Sequence, residues 1–241
     1  MINQEFSYSN YRKILTKNKS LIFDYKEIKN KNSFILLRHD VEFSPQRALR
    51  IAEIDHSENV SSSFLFQVRS NAYNVLSTIN REIILQILEL GHKVGLHFYV
   101  SHILKNDWAT LRKELNQQSE ILNFAINQKI DRFSFHRPPK WVLENREDSI
   151  GNLINMYGKS FFEFTDSPKE IKYIADSKHS FPYGHPLDDI KYPKIQMLLH
   201  PDEWSEKGYD ISENFKILEN ENINQIKLTF KTETKHFKEI D

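Results

Sequence analysis

Phe34-Ile35-Leu36-Leu37-Arg38-His39-Asp40-Val41-Glu42 is the stretch that decides how this chain is read. Four apolar residues in a row predict a strand buried on both faces, because such a strand loses its polar alternation. The run then ends in Arg, His, Asp and Glu, which makes a poor core and a good site. Three later apolar runs end the same way: Val94-Gly95-Leu96-His97, Phe133-Ser134-Phe135-His136-Arg137 and Ile195-Gln196-Met197-Leu198-Leu199-His200. Neighbouring strands of a parallel α/β fold bring their C-terminal ends to one face, where ligands bind. The four endings are therefore expected to meet there and to hold a metal.

Between these strands the sequence alternates to helix. Ser44-Pro45 reads as an N-cap followed by Pro at the first helical position, which predicts a helix over 45–58. Ser63 to Val68 predicts a second strand. Ile83, Ile84, Ile87 and Leu88 form one stripe of a helix over 80–90, with Gly91 placed to end it. Asp107 predicts the cap of a helix whose stripe runs from Trp108 to Ile126. Tyr8, Tyr11 and Leu15 recur at helical spacing near the start. Ile150, Leu153 and Ile154 suggest a short helix, while 161–164 and 171–175 suggest strands. Ile226, Leu228 and Phe230 alternate, which predicts a half-exposed edge strand over 223–231. Strand alternating with helix predicts a parallel, barrel-like α/β fold.

The 241 residues fit one large domain spanning 1–241, with the motif-bearing core at about 34–205. Thirty-three basic and 33 acidic residues cancel, and no long basic run interleaves with aromatics, so no nucleic-acid partner is expected. The absence of cysteine removes disulfides, thiolate metal sites and a Cys nucleophile. Met1 to Ser9 lacks the apolar core of a signal peptide, and no apolar stretch approaches the ~18 residues of a membrane span. A soluble cytoplasmic protein is the default expectation.

Asp40 and Glu42 are two residues apart, so a regular strand puts both on one face. Carboxylates that close repel unless a cation or proton lies between them; the blander reading is a salt bridge to Arg38 or Arg47. His92 and His97 are five apart and face opposite sides of a strand. His92, after a helix-ending Gly, reads as structural, whereas His97 closes an apolar strand and is the better ligand. His102 lies one loop later and could join it. His136 suits zinc and similar divalent cations. Arg137 could orient a carboxylate through a bidentate contact, or form a surface ion pair of little consequence. His200, followed by Pro201, Asp202, Glu203 and Trp204, suits a general acid beside an aromatic wall. Asp176 ends a further strand.

Taken as an ordered set, these motifs resemble the polysaccharide deacetylase superfamily (carbohydrate esterase family four). The carriers are Arg38-His39-Asp40-Val41-Glu42, Gly91-His92-Lys93-Val94-Gly95-Leu96-His97, Phe133-Ser134-Phe135-His136-Arg137-Pro138, Tyr173-Ile174-Ala175-Asp176-Ser177 and Leu198-Leu199-His200-Pro201-Asp202-Glu203-Trp204. More closely, the set looks like a divergent branch found in lipopolysaccharide and capsule biosynthesis. The resemblance implies a distorted, incomplete (β/α) barrel, a divalent metal (commonly zinc), and hydrolysis of an N-acetyl group from an amino sugar or glycan precursor. It maps Asp40 to the catalytic base and Glu42 to the metal, with the reversed assignment, Asp40 on the metal beside His39, left open. It maps His97 to the first metal histidine. The second usually follows four residues later, where this chain has Ser101, so His102 or His136 would substitute. It maps Arg137 to the residue that orients the base and His200 to the general acid, and His39, Asp176 and Trp204 are expected to touch the substrate or to support these groups. Two rivals stand next to this reading: an inactive sugar-binding or scaffold member of the fold, and an amidohydrolase acting on another acylated substrate.

Overall fold

The computed structural model describes residues 4–163, 170–188 and 192–236. The first half runs α1 (Tyr8–Asn18), β1 (Phe34–Val41), α2 (Pro45–Ser57), β2 (Ser63–Phe66), α3 (Thr78–Glu89), β3 (Lys93–Tyr99) and α4 (Trp108–Ile126). It continues with β4 (Arg132–His136), α5 (Lys140–Leu143), β5 (Ser149–Ile150), β6 (Leu153–Asn155), β7 (Lys172–Ala175), β8 (Lys194–Leu198) and α6 (Ile211–Glu233). The strands form one sheet in the order β5-β6-β4-β3-β2-β1-β8-β7. Every pairing is parallel except β5 with β6. The sheet curls into a half-barrel, the distorted, incomplete (β/α) barrel that the motifs imply.

The helices start where local chemistry starts them. Ser44 accepts a hydrogen bond from Arg47 N at 3.2 Å with Pro45 at the first turn of α2, satisfying a backbone donor that the helix cannot. Ser77 and Asp107 cap α3 and α4 in the same way. Gly91, at φ 91°, turns the chain from α3 toward β3 in a conformation that suits glycine.

β1 is buried along its whole length because both of its faces are covered. Ile35, Leu37 and Val41 point to the helix side, into a core shared with Ala48, Ile51, Phe64 and Leu96. Phe34 and Leu36 point into the half-barrel, where they pack with Tyr25, Leu65, Met156 and Phe161. Alternation then carries Arg38, Asp40 and Glu42 onto the inner side, at the C-terminal end of the barrel.

Three expectations for the elements are corrected. Residues 223–231 are not an edge strand but part of the 23-residue helix α6. Ile150, Leu153 and Ile154 are not helical: β5 and β6 are antiparallel strands joined at Gly151-Asn152. Of the strand expected over 161–164, residues 161–163 are turn and irregular backbone, and 164 lies outside the described residues.

Candidate active site

Three strand ends supply a compact donor set. Glu42 directly follows β1, His97 lies in β3 and His136 ends β4. The register sets His97 opposite Ser134 and Tyr99 opposite His136, so the two rings come together from neighbouring strands. Glu42 Oε1 lies 2.8 Å from His136 Nδ1 and 3.4 Å from His97 Nε2. The two imidazole nitrogens are 3.1 Å apart. One ligand atom from each residue falls within 4.8 Å of the other two. The histidines are buried and Glu42 is half-buried. Burial alone would raise the Glu42 carboxyl, but the His136 and His97 rings beside it and the charge of His200 hold it well below the usual carboxylate range.

Asp40 lies on one side of this set. It is buried, with Arg38 Nη2 at 3.4 Å, Ser134 Oγ at 3.0 Å and His97 Nδ1 at 3.5 Å. Burial opposes its charge, yet Arg38, His97 and His200 together pull its pKa below the ordinary value. Arg38 is itself fully buried and donates to Tyr157 Oη at 2.8 Å.

His200 lies on the other side, with Nε2 at 4.0 Å from Glu42 Oε1. Its Nδ1 donates to Asp176 Oδ1 at 2.7 Å. Asp176, which follows β7, also accepts from His200 N at 2.9 Å and from Trp204 Nε1 at 2.8 Å. Burial works against the imidazolium, but Asp176 overcomes it and lifts the His200 pKa to about 10. Asp202, two residues on, is pushed up to about 7, chiefly by burial and despite the opposing charge of His200.

The structure thus brings together Asp40, Glu42, His97, His136, His200, Asp176 and Trp204. It sets three expected residues apart. His102 is bonded to Glu114 at 2.8 Å and to Arg69 at 3.0 Å, outside the donor set. Its spacing of five from His97 carries it past the strand end into a loop. Arg137 is exposed, and the guanidinium beside Asp40 belongs to Arg38. His39 faces the helix side because it alternates with Arg38 and Asp40. Its ring there bonds to Leu199 O at 3.0 Å and Asp55 Oδ2 at 3.2 Å. Trp204 is fully buried and holds Asp176 rather than walling an open mouth. His92 is structural, as expected, with Nε2 2.9 Å from Ala52 O.

Sequence reasoning missed Ser134 and Gln67, whose Nε2 lies 3.2 Å from His136 Nδ1. Ser134 had a signal: in Phe133-Ser134-Phe135-His136 it shares a face with His136. Gln67 had none that separates it from a loop residue. A cleft at the opposite, N-terminal end of the strands, lined in part by Tyr25, Phe34, Phe161 and Lys194, contains none of these groups.

No protein-family model matches the sequence, and no curated protein matches it significantly. Solved structures do match. A family 4 carbohydrate esterase pseudoenzyme from Bacillus anthracis aligns with TM-score 0.51 at 18% identity, over 80% of this chain and 62% of that one. The chain has the carbohydrate esterase family 4 fold. A mutant of the same pseudoenzyme with restored enzymatic activity aligns with TM-score 0.50 at 18% identity, over 81% of this chain and 64% of that one. The chain therefore spans less than two thirds of the length of these structures. One backbone of this fold accompanies both a lost and a restored activity, so the side chains at the strand ends carry the functional argument, not the fold.

Proposed function

We propose that this chain is a metal-dependent amide hydrolase that removes an N-acetyl group from an amino sugar or glycan precursor. The observation that carries the reading is the Glu42–His97–His136 donor set, flanked by the carboxylate of Asp40 and the imidazole of His200. Two imidazole nitrogens and one carboxylate oxygen are donors that suit zinc and its neighbours. Three protein ligands also leave a coordination position for water or substrate. When bound, such a metal lowers the pKa of a coordinated water and polarises an acyl carbonyl.

The chain's own residues do the rest. Arg38 and Ser134 hold Asp40 as an ionised carboxylate able to accept a proton. His200, whose imidazolium Asp176 favours, can deliver a proton to a departing amine. Asp176 holds the ring with Nδ1 occupied, which leaves Nε2 on the side of Glu42. The placement in surface-polysaccharide biosynthesis rests on the resemblance of the motifs alone.

The test is elemental analysis of the purified protein beside His97→Ala, with a screen of N-acetylated sugars. Near-stoichiometric zinc, cobalt or nickel, lost in the variant together with deacetylation, is the expected result. Full activity in His97→Ala would sink the assignment. The rival reading, an inactive sugar-binding or scaffold protein, is favoured by one observation: a pseudoenzyme shares the fold. Absence of metal even after reconstitution would select it.

A further inference from the structure

The donor set has a neighbour to which the motifs assign no role. Ser134 is fully buried and sits opposite His97 in the β3–β4 register. Its hydroxyl lies 2.7 Å from His97 Nδ1 and 3.0 Å from Asp40 Oδ1. Asp40 in turn lies beside the Arg38 guanidinium at 3.4 Å. Each step of this chain has one sense. A carboxylate beside a guanidinium is acceptor-only, so the Ser134 O–H must donate to Asp40. Having given its only proton, Ser134 Oγ can only accept from His97. The neutral His97 ring must then carry its proton on Nδ1, which leaves the Nε2 lone pair facing Glu42 and His136.

We propose that Ser134 is a positioning residue that fixes the His97 tautomer, relaying the direction set by Arg38 and Asp40 into the donor set. The proposal rests on the metal-site reading above. It adds a residue and a consequence: His97 is a ready ligand before any metal arrives. Without the Ser134 oxygen, the acceptor left near Nδ1 is Asp40 Oδ2 at 3.5 Å, too long for a good hydrogen bond, so the proton is freer to move to Nε2. There it can donate toward Glu42 Oε1, 3.4 Å away, and it must leave before a cation binds. Outer partners of metal-bound histidines commonly contribute about 10–100-fold in affinity.

The experiment has two readouts. In the metal-free wild type, nitrogen NMR of the histidine rings, at a pH where His97 is neutral, should show the proton on Nδ1. Zinc titration should then show Ser134→Ala binding about 10–100-fold more weakly than wild type, with Ser134→Thr, which keeps the hydroxyl, close to wild type. A proton on Nε2 in the metal-free wild type would overturn the proposal. So would Ser134→Ala binding zinc as tightly as wild type. Should Ser134→Ala fail to fold, the wild-type tautomer alone decides. A wild type that binds no zinc defeats the metal-site reading instead, and the tautomer still judges the relay.

Discussion

His200 takes its protonation state chiefly from one carboxylate, with Glu42 and Asp202 adding to it. Asp176 accepts from its backbone N, from its Nδ1 and from Trp204 Nε1, so the acid is anchored before it meets the imidazole. In the metal-free protein the ring is raised from 6.5 to about 10. A raised histidine stabilises the fold fully below pH 6.5, and that stabilisation is lost as pH climbs through about 10. Asp176→Asn should bring the ring's midpoint down toward its ordinary value and flatten that loss, as read by NMR titration and by denaturation at several pH values. A midpoint unchanged in the variant would refute the pairing. His102→Ala, by contrast, should leave zinc content at the wild-type level, because its ring is engaged by Glu114. The residues legible in the sequence were those at strand ends, where an apolar run breaks into ionisable groups. Arg38 was legible only as a salt-bridge partner. Its role beside Asp40 went to Arg137, because one-dimensional order cannot say which of two guanidinia turns inward.

Among the elements, β3 depends on having no side chain at residue 95. A Cβ there would lie 2.6 Å from Arg132 Cγ, Arg132 O and Leu65 Cδ1. Arg132 crosses at this point to pair with Asp24 and Asp131. Gly95→Ala should therefore lower stability by about 1–3 kcal/mol, the usual cost of overpacking a filled core, measured by urea denaturation. A variant as stable as wild type would show that β3 can shift aside. The parallel strands and α2 to α4 were legible because long apolar runs and capped stripes are redundant signals. The short hairpin was not, although Gly151-Asn152 between Ile150 and Leu153 is a turn signal. The end of the chain misled for a different reason. Alternation over Ile226, Leu228 and Phe230 covers only five residues, and each is about half exposed on α6. The stronger signal lay upstream, where Asp210 accepts from Ser212 N and Glu213 N, and Glu213 stands at the capping-box position.

For the molecule as a whole, the donor set is a product of folding. Glu42, His97 and His136 belong to three separate strand ends, and only the assembled sheet brings them within 4.8 Å. A cation that binds the folded chain alone stabilises it by about 2.7 kcal/mol at a concentration of 100 Kd. Thermal unfolding should therefore rise in midpoint with added zinc, and the rise should vanish in His97→Ala. An equal rise in both would place the zinc elsewhere. No helix among the described residues is long and apolar enough to cross a membrane.

The strand order also governs how the chain comes off the ribosome. β1 sits between β2 and β8, and its residues Phe34 to Arg38 pair with Lys194 to Leu198. At about 5–20 residues per second of synthesis, one of the earliest strands waits roughly 10–30 s for that neighbour. Throughout the interval one edge of Phe34-Ile35-Leu36-Leu37 has unpaired backbone groups and is open to other chains. The segment that anchors the chemistry is also an open apolar edge of the nascent chain, so yield in the cell should depend on holdase chaperones as well as on the stability of the finished fold.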